Sequence, residues 1–568
     1  MKKVLLVITL ASMFVACQQT PKNMADTIYS GGDILTMRGD TPEYPEAMAI
    51  KDGKILFVGS QAEAMKLKSD STVLVDLNQR TLLPGFIDPH SHLWISGLQS
   101  LAANLLPAPD GKGNSIPALI DATKEWAANN KKAIGKVGWI VGFGYDDAQL
   151  AEHRHPVADE LDKISTEFPV LFIHQSTHLG VMNHKGLEMA NITADTPNPV
   201  GGVIRRISGS QQPDGVLEEI AFFNAAYNFL KNFDPQANEA IAKAGLNNYA
   251  AYGFTTAQEG RATKSVAETW KTLSERDELF LDVAAYVDLE AEMEYMKTHG
   301  VSSTYSNHYR VAGVKLCLDG SPQGKTAWLT KPYKVPPAGE SKDYRGYPAY
   351  EDENIVFALA DTAFKYNWQL FAHTNGDAAS DQFVRAVRHA ANKYGNDDRR
   401  TVMIHAQTVR EDQLDSMKVL GIIPSFFSMH TYYWGDWHRD ETLGKERAYR
   451  ISPAVSALNR GMIFTEHHDA PVATASSIMI LHTAVNRTSR SGDIIGPDQR
   501  ISPYIALKTL TEWSAYQYFE EDTKGTLEAG KLADLVILDK NPLKIPPEEI
   551  INIQVMETIK QGNTIFKR

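Results

Sequence analysis

The sequence predicts an α/β protein: a (β/α)8 TIM-like barrel, a small β-sandwich domain built from both chain ends, and a large insertion after barrel strand 1. Three observations carry this expectation. Downstream of Gln236, short apolar runs alternate with helical sequence, the order that lays parallel strands into a barrel. The two ends of the chain share a different texture, short strands separated by glycine turns. At 568 residues the chain also exceeds one typical core, so more than one structural unit is expected.

Hydrophobic residues make up 43% and charged residues 22%, the balance of a folded globular chain rather than a disordered or membrane-spanning one. The net charge of -12 argues against a broad phosphate-binding face, so no nucleic-acid partner is expected. Lys2 and Lys3 precede an apolar run from Val4 to Val15, which is too short to span a bilayer and reads as an export signal. Phe14-Val15-Ala16-Cys17 resembles a bacterial lipobox. Residues 1–17 are therefore expected to be a lipoprotein signal peptide, with Cys17 as the lipid anchor of an exported protein on the periplasmic or cell-envelope face. Cys317 is the only other cysteine, so an acylated Cys17 leaves no intrachain disulfide.

Taken in order, Thr27 to Met37 reads as a hairpin-like strand pair. Ala47–Ile50 and Lys54–Val58 then flank Lys51-Asp52-Gly53, a turn whose glycine can take positive φ. Gly525 to Leu538 and Val555 to Phe566 have the same β texture, which assigns 24–83 and 522–568 to one composite sandwich and 84–521 to the barrel. The first barrel strand runs from Leu83 into His90 and His92. Residues from about 100 to 235 form the insertion, with a helix over Ile116–Asn129 and strands at Trp139–Gly142 and Val170–Ile173. A connection this long in a compact fold is usually functional. Seven further strands follow, at Phe254–Glu259, Leu279–Val287, Arg310–Gly320, Trp368–His373, Thr401–His405, Ile422–His430 and Gly461–Asp469. Ile355, Leu359 and Ala363 mark one intervening helix; Leu414, Met417 and Leu420 mark another, capped by Gly421.

The strand ends carry the chemistry. Strand side chains alternate faces, so His90 and His92 point the same way and make half of a divalent-metal site. Lys315, His373, His405 and Asp469 stand at the ends of strands four, five, six and eight, which converge on one face of a barrel. Lys315 is the odd member, because an ammonium cannot bind a cation. A buried lysine with a depressed pKa can be neutral, and a neutral amine can capture carbon dioxide as a carbamate that bridges two metals. An ion pair with Asp319, on the same strand face, is the alternative.

The stretch Pro84 to His92, with the later histidines and Asp469, resembles the amidohydrolase superfamily of metal-dependent hydrolases. Gly313-Val314-Lys315 to Asp319-Gly320-Ser321, His373 to Asp377, Ile404 to Gln407 and His468 to Val472 are similar to its YtcJ-like (family 3) branch. So are Gly525 to Leu538 and, in the insertion, Gln175 to His178 with Val181 to Asn183. The resemblance implies hydrolysis of C–N bonds other than peptide bonds in a small-molecule amide, N-formyl or cyclic amide substrate. It also implies a metal set of His90, His92, Lys315, His373, His405 and Asp469 around two divalent ions, with Lys315 N-carboxylated. The imidazole-rich set favours zinc. In this reading a metal-activated hydroxide attacks, and Asp469 serves as general base and then general acid. His178, His430, Asp319 and Trp434 are expected to contact or orient substrate. The chain departs from the branch at Glu466-His467-His468, where many relatives carry Gly-Ser before the aspartate, and this brings an extra imidazole toward the metals. It departs again at Gln323-Gly324-Lys325, where relatives often carry arginine.

Two other readings stay open. A mononuclear deaminase of the same superfamily would use His90, His92, one later histidine and Asp469, but not Lys315. A non-catalytic, lipid-anchored binding protein would have no reason to keep all six groups. Tyr432, Tyr433, Trp434 and Trp437 suit an apolar or ring-bearing substrate at the barrel mouth, or equally the packing of the insertion against the barrel. His153-Arg154-His155 repeats the spacing of the opening motif without an apolar strand before it and reads as a solvated loop. A homodimer is left open.

Overall fold

The computed structural model describes residues 24–230, 233–337 and 339–568. The export segment 1–17 and Cys17 lie outside the described residues. Among the described residues, no helix is long and apolar enough to cross a membrane.

Eight strands form one parallel sheet in sequence order. They are β1 (Phe86–Ile87), β2 (Phe254–Ala262), β3 (Asp282–Asp288) and β4 (Tyr309–Cys317). β5 (Gln369–Thr374), β6 (Val402–His405), β7 (Ile423–Phe426) and β8 (Thr465–Glu466) complete it. β5, β6 and β7 are buried along their whole length, as strands covered on both faces must be. The register sets Cys317 beside His373 and Thr374 beside His405, which brings the ends of β4, β5 and β6 level. Among the described residues no ladder joins β8 to β1, yet the segments after them meet. The His92 N–H donates to the Ala470 carbonyl at 2.9 Å, and His468 Nε2 lies 3.5 Å from Asp88 Oδ1. The curl of the sheet thus returns its two edges to one point at the C-terminal ends of the strands.

Several expected strands end earlier than the sequence indicates: β1 stops at Ile87, with Leu83 in a separate strand of the terminal sheet, and β4 stops at Cys317. β7 stops at Phe426, because the Ser428 N–H and hydroxyl turn to the Glu466 carboxylate at 3.1 and 2.7 Å, and His430 opens a short helix, His430–Tyr433. β8 covers two residues instead of the run to Asp469. Asp469 itself sits at φ 52°, a left-handed conformation that a strand does not accommodate.

Both chain ends enter one five-stranded sheet, ordered Asp33–Ile34, Thr81–Pro84, Leu535–Leu538, Val555–Lys560, Asn563–Lys567. A four-stranded sheet of N-terminal strands lies against it, and Tyr29, Met48, Ile50 and Ile55 share a core with Leu82, Leu527, Leu535, Ile537 and Ile559. The Ala47–Lys51 and Lys54–Gly59 hairpin forms as the sequence indicates, with Asp52 at φ 48° and Gly53 at φ 74°, the left-handed pair that suits the twist of a two-residue turn. The expected hairpin within Thr27 to Met37 does not form. Thr27–Ser30 pairs with Ala47–Lys51, whereas Asp33–Ile34 crosses to the other sheet and pairs with Thr81 and Leu82. The crossing needs Gly32: a Cβ there would stand 2.3 Å from the Arg80 carbonyl.

The insertion is a folded layer of its own. Its six-stranded mixed sheet runs Gly202–Arg206, Pro213–Glu219, Leu179–Met182, Val170–His174, Ile140–Tyr145, Ala103–Asn104. The helix Ile116–Asn129 starts where Ser115 accepts the Ala118 N–H and Pro117 fills an early position that needs no donor.

Candidate metal centre

His90 and His92 stand in the irregular segment after β1, and β2 fixes both rings. His90 Nδ1 meets Gln258 Oε1 at 2.6 Å, and His92 Nδ1 meets the Gly260 carbonyl at 2.6 Å. Both partners only accept, so each Nδ1 carries the proton and each Nε2 turns a lone pair inward, that of His90 also facing Lys315 Nζ at 3.0 Å. Those lone pairs face a carboxylate: His90 Nε2 and His92 Nε2 lie 3.1 and 3.6 Å from Asp469 Oδ1, and His405 Nε2 lies 3.9 Å from Asp469 Oδ2. Acceptors turned toward one another with no proton between them need a cation.

The unpartnered atoms give the same result. Asp469 Oδ1 and both nitrogens of His405 are buried without a hydrogen-bond partner, although buried polar groups are nearly always paired. His90, His405 and Asp469 bring ligand atoms within 4.8 Å of one another. Burial, and then Lys315 beside it, pushes the His90 imidazole down to about 3, and burial holds His405 well below its ordinary value, so both rings are neutral ligands. For Asp469 burial opposes the charge, but the facing imidazoles outweigh it and hold the carboxyl well below the usual carboxylate range. The residues fit a divalent cation. His405 at φ 70°, Ala406 at φ 43° and Asp469 at φ 52° are strained backbones gathered at this one place, as at many functional sites.

Lys315 is 2% exposed, and its Nζ stands 3.0 Å from His90 Nε2. Burial pushes its amine down to about 7. The alternative partner, Asp319, is otherwise engaged: Oδ1 accepts the Asn375 N–H at 2.9 Å and Oδ2 the Gly376 N–H at 2.7 Å and the Trp328 N–H at 3.1 Å. His373 Nδ1 lies 3.2 Å from Asp319 Oδ1, so Asp319 positions His373 and the loop after β5 rather than reaching substrate as the sequence suggested. The His373 and His405 rings lie 4.4 Å apart.

Of the other expected substrate contacts, His178 reaches the centre from the insertion, with its ring 5.4 Å from that of His373 and its Nδ1 2.7 Å from Glu219 Oε2. His430 is buried one ring further out, against Phe427 at 4.6 Å, with Nδ1 3.0 Å from His438 Nε2. Trp434 has 0% exposure and donates its indole N–H to Asp146 Oδ2 at 2.6 Å. With Tyr433, whose hydroxyl donates to Asp110 at 2.7 Å, it clamps the insertion onto the loop after β7 instead of lining an open wall. His155 is likewise not solvated: it is buried against Tyr145 and stands 3.7 Å from Asp147. The two imidazoles that follow β8 in the Glu466-His467-His468 run point different ways. His467 turns inward, with rings 5.2 Å from His90 and 5.0 Å from His405, while His468 Nδ1 turns away to accept the Ala470 N–H at 2.9 Å.

Sequence reasoning missed Gln258, Gly260, Glu259 and Glu219. A glutamine and a glutamate closing the apolar run Phe254 to Ala257 were the available signal for β2. Glu259 accepts the Trp94 N–H at 2.7 Å and the Trp270 indole N–H at 3.0 Å, which fixes the helix that begins directly after His92. Burial pushes its carboxyl up to about 8. A raised carboxyl favours the folded state most below the unfolded value near 4.5, and that contribution is lost as pH rises toward 8. Glu259→Gln should therefore flatten the fall in melting temperature between pH 5 and 8, by up to about 1.4 kcal/mol per pH unit. Parallel melting curves for variant and wild type would contradict this.

Comparison with known proteins agrees with the geometry. The family model described as "Amidohydrolase family" matches residues 73–566. N-substituted formamide deformylase of Arthrobacter pascens is 25% identical over 534 residues, covering 92% of this chain and 95% of that protein. The putative amidohydrolase YtcJ of Bacillus subtilis is 25% identical over 564 residues, covering 95% and 99%. An uncharacterized metal-dependent hydrolase from Pyrococcus horikoshii superposes with a TM-score of 0.73 at 24% identity, covering 92% of this chain and 99% of that one, and shares the fold. With its imidazole and carboxylate centre at the strand ends and a family match spanning residues 73–566, the chain belongs to the amidohydrolase family of metal-dependent hydrolases.

Proposed function

We propose that the protein hydrolyses a C–N bond other than a peptide bond, in a small amide, N-formyl or cyclic amide substrate. The observation that carries this reading is the convergence of His90 and His92 Nε2 on Asp469 beside the orphaned atoms of His405 and Asp469, in a chain 25% identical over 534 residues to an N-substituted formamide deformylase. His90, His92, Asp469 and Lys315 would hold one divalent ion, and Lys315 as a carbamate, His373 and His405 the other. When bound, such ions supply Lewis acidity at the substrate carbonyl and acidify water.

The chain's own residues do the rest. Asp469, ionised and facing the imidazoles, takes the proton from the attacking water and returns it to the leaving nitrogen. Glu219 fixes His178 Nδ1, so Nε2 is the nitrogen that orients the substrate oxygen. The buried clamp of Trp434 on Asp146 and Tyr433 on Asp110 holds the insertion over the centre and excludes bulk water. The same reading takes 24–83 and 522–568 as one sandwich domain beside the barrel, since their strands share a sheet and a core. It takes Cys17 as a lipid anchor at the cell envelope, on the strength of the Lys2-Lys3 start and the apolar run to Val15.

One observation favours a mononuclear site: the atoms that cluster within 4.8 Å are those of His90, His405 and Asp469, and His373 is outside that group. A panel of N-substituted formamides, N-acyl amines, cyclic amides and aminated heterocycles, run on metal-loaded protein, separates the readings. Amine and carboxylate release from the amides supports the proposal; turnover confined to ammonia release from the heterocycles supports the deaminase, and no turnover at all contradicts both.

A further inference from the structure

We propose that His467 is an additional ligand of this metal centre, entering from the floor of the barrel beneath His90 and His405. The inference rests on the metal-centre reading above and extends it to a side chain outside the six-residue set. His467 is fully buried, and neither Nδ1 nor Nε2 has a hydrogen-bond partner. Of its chain neighbours, Glu466 accepts from Ser428, and His468 Nδ1 accepts the Ala470 N–H while its Nε2 faces Asp88 at 3.5 Å, away from His405. His467 and Asp469 lie beyond the end of β8, and their ring and carboxylate are placed by the contacts to His90 and His405.

The ring spacing matches that of imidazoles on one ion, beside the His90, His405 and Asp469 atoms that already lie within 4.8 Å of one another. Two imidazoles on one tetrahedral ion, at ordinary metal–nitrogen distances, have ring centroids roughly 5 Å apart. His467 lies 5.2 Å from His90 and 5.0 Å from His405, matching the 5.2 Å between His90 and His92. His405, its partner at 5.0 Å, is also orphaned at both nitrogens. Phe427 closes the next side, with its ring 4.8 Å from that of His467, and offers no donor or acceptor. A trapped water, which needs two to four polar partners, is the competing occupant.

The test uses full-length protein stripped by chelator and titrated with Co2+ alone, following binding by competition and the visible absorption of the bound ion. His467→Leu removes two unpaired buried groups at similar volume, so its metal-free melting temperature should equal or exceed that of wild type. His467→Gln is the second, polar variant should the first not fold, and His90→Ala is the control that must lose the ion. The proposal expects both His467 variants to raise the Co2+ dissociation constant at least ~10-fold, no less than loss of an outer-shell partner does, and to shift the absorption bands. Wild-type affinity and spectrum in both variants, with binding lost in His90→Ala, would overturn it and leave the metal centre standing. Absence of stoichiometric binding in wild type, with His90→Ala indistinguishable, would overturn both.

Discussion

Asp469→Asn should lower turnover by ~10²-fold or more while the protein keeps its metal and its fold. The amide retains the volume of the carboxyl in a buried position but loses the negative charge that faces His90 Nε2 at 3.1 Å, His92 Nε2 at 3.6 Å and His405 Nε2 at 3.9 Å. Asparagine also cannot accept a proton at neutral pH, so both the removal of a proton from water and its delivery to nitrogen are lost together. The loss should appear in kcat with little change in KM, because no ground-state contact to substrate is removed. Metal content measured on the same preparation separates proton transfer from ligation. Full activity would remove Asp469 from the mechanism.

Lys315→Met should remove one of two bound ions and lower turnover by a comparable factor. Methionine fills the buried space of the lysine stem without an amine that can be carboxylated, so the bridge between the two ions cannot form. Short carboxylic acids supplied in the buffer should restore part of the activity by occupying the vacated bridge. Because burial places the lysine near 7, the uncharged amine dominates above that pH and the ammonium below it. Reconstitution of stripped wild-type protein with metal at constant dissolved CO2 should slow as pH falls below 7, approaching tenfold per pH unit. A Lys315→Met variant with wild-type metal content and activity would contradict a bridging role and favour a single-ion site.

What could be read from the chain follows the range of the physical signal. His90 and His92 were legible as a pair closing an apolar run, although the strand stops at Ile87 and their shared direction comes from the segment beyond it. Lys315, His373, His405 and Asp469 were legible because each stands at or near a strand end in a regular order. The residues that orient them were not. Gln258 and Gly260 lie 168 positions from His90 and His92, and only the pairing of β1 with β2 places their oxygens against the rings. The aromatic group after β7 showed the same limit: its composition suits a substrate wall, but Trp434 is spoken for by Asp146 in the insertion, 288 positions away. His153-Arg154-His155 looked solvated because the groups that bury His155 are Tyr145, at the end of a strand the sequence marks only in part, and Asp147, in the turn after it. The strand ends failed for a local reason that hydropathy does not carry, the left-handed turn at Asp469 and the capture of Ser428 by Glu466.

The central claim is that turnover of a C–N bond depends on ions held by these residues. Protein stripped by chelator should be inactive against an N-substituted formamide, and titration with Zn2+ should restore hydrolysis to a plateau that breaks at two ions per chain. Activity unchanged by stripping, with no stoichiometric metal bound, would contradict the account.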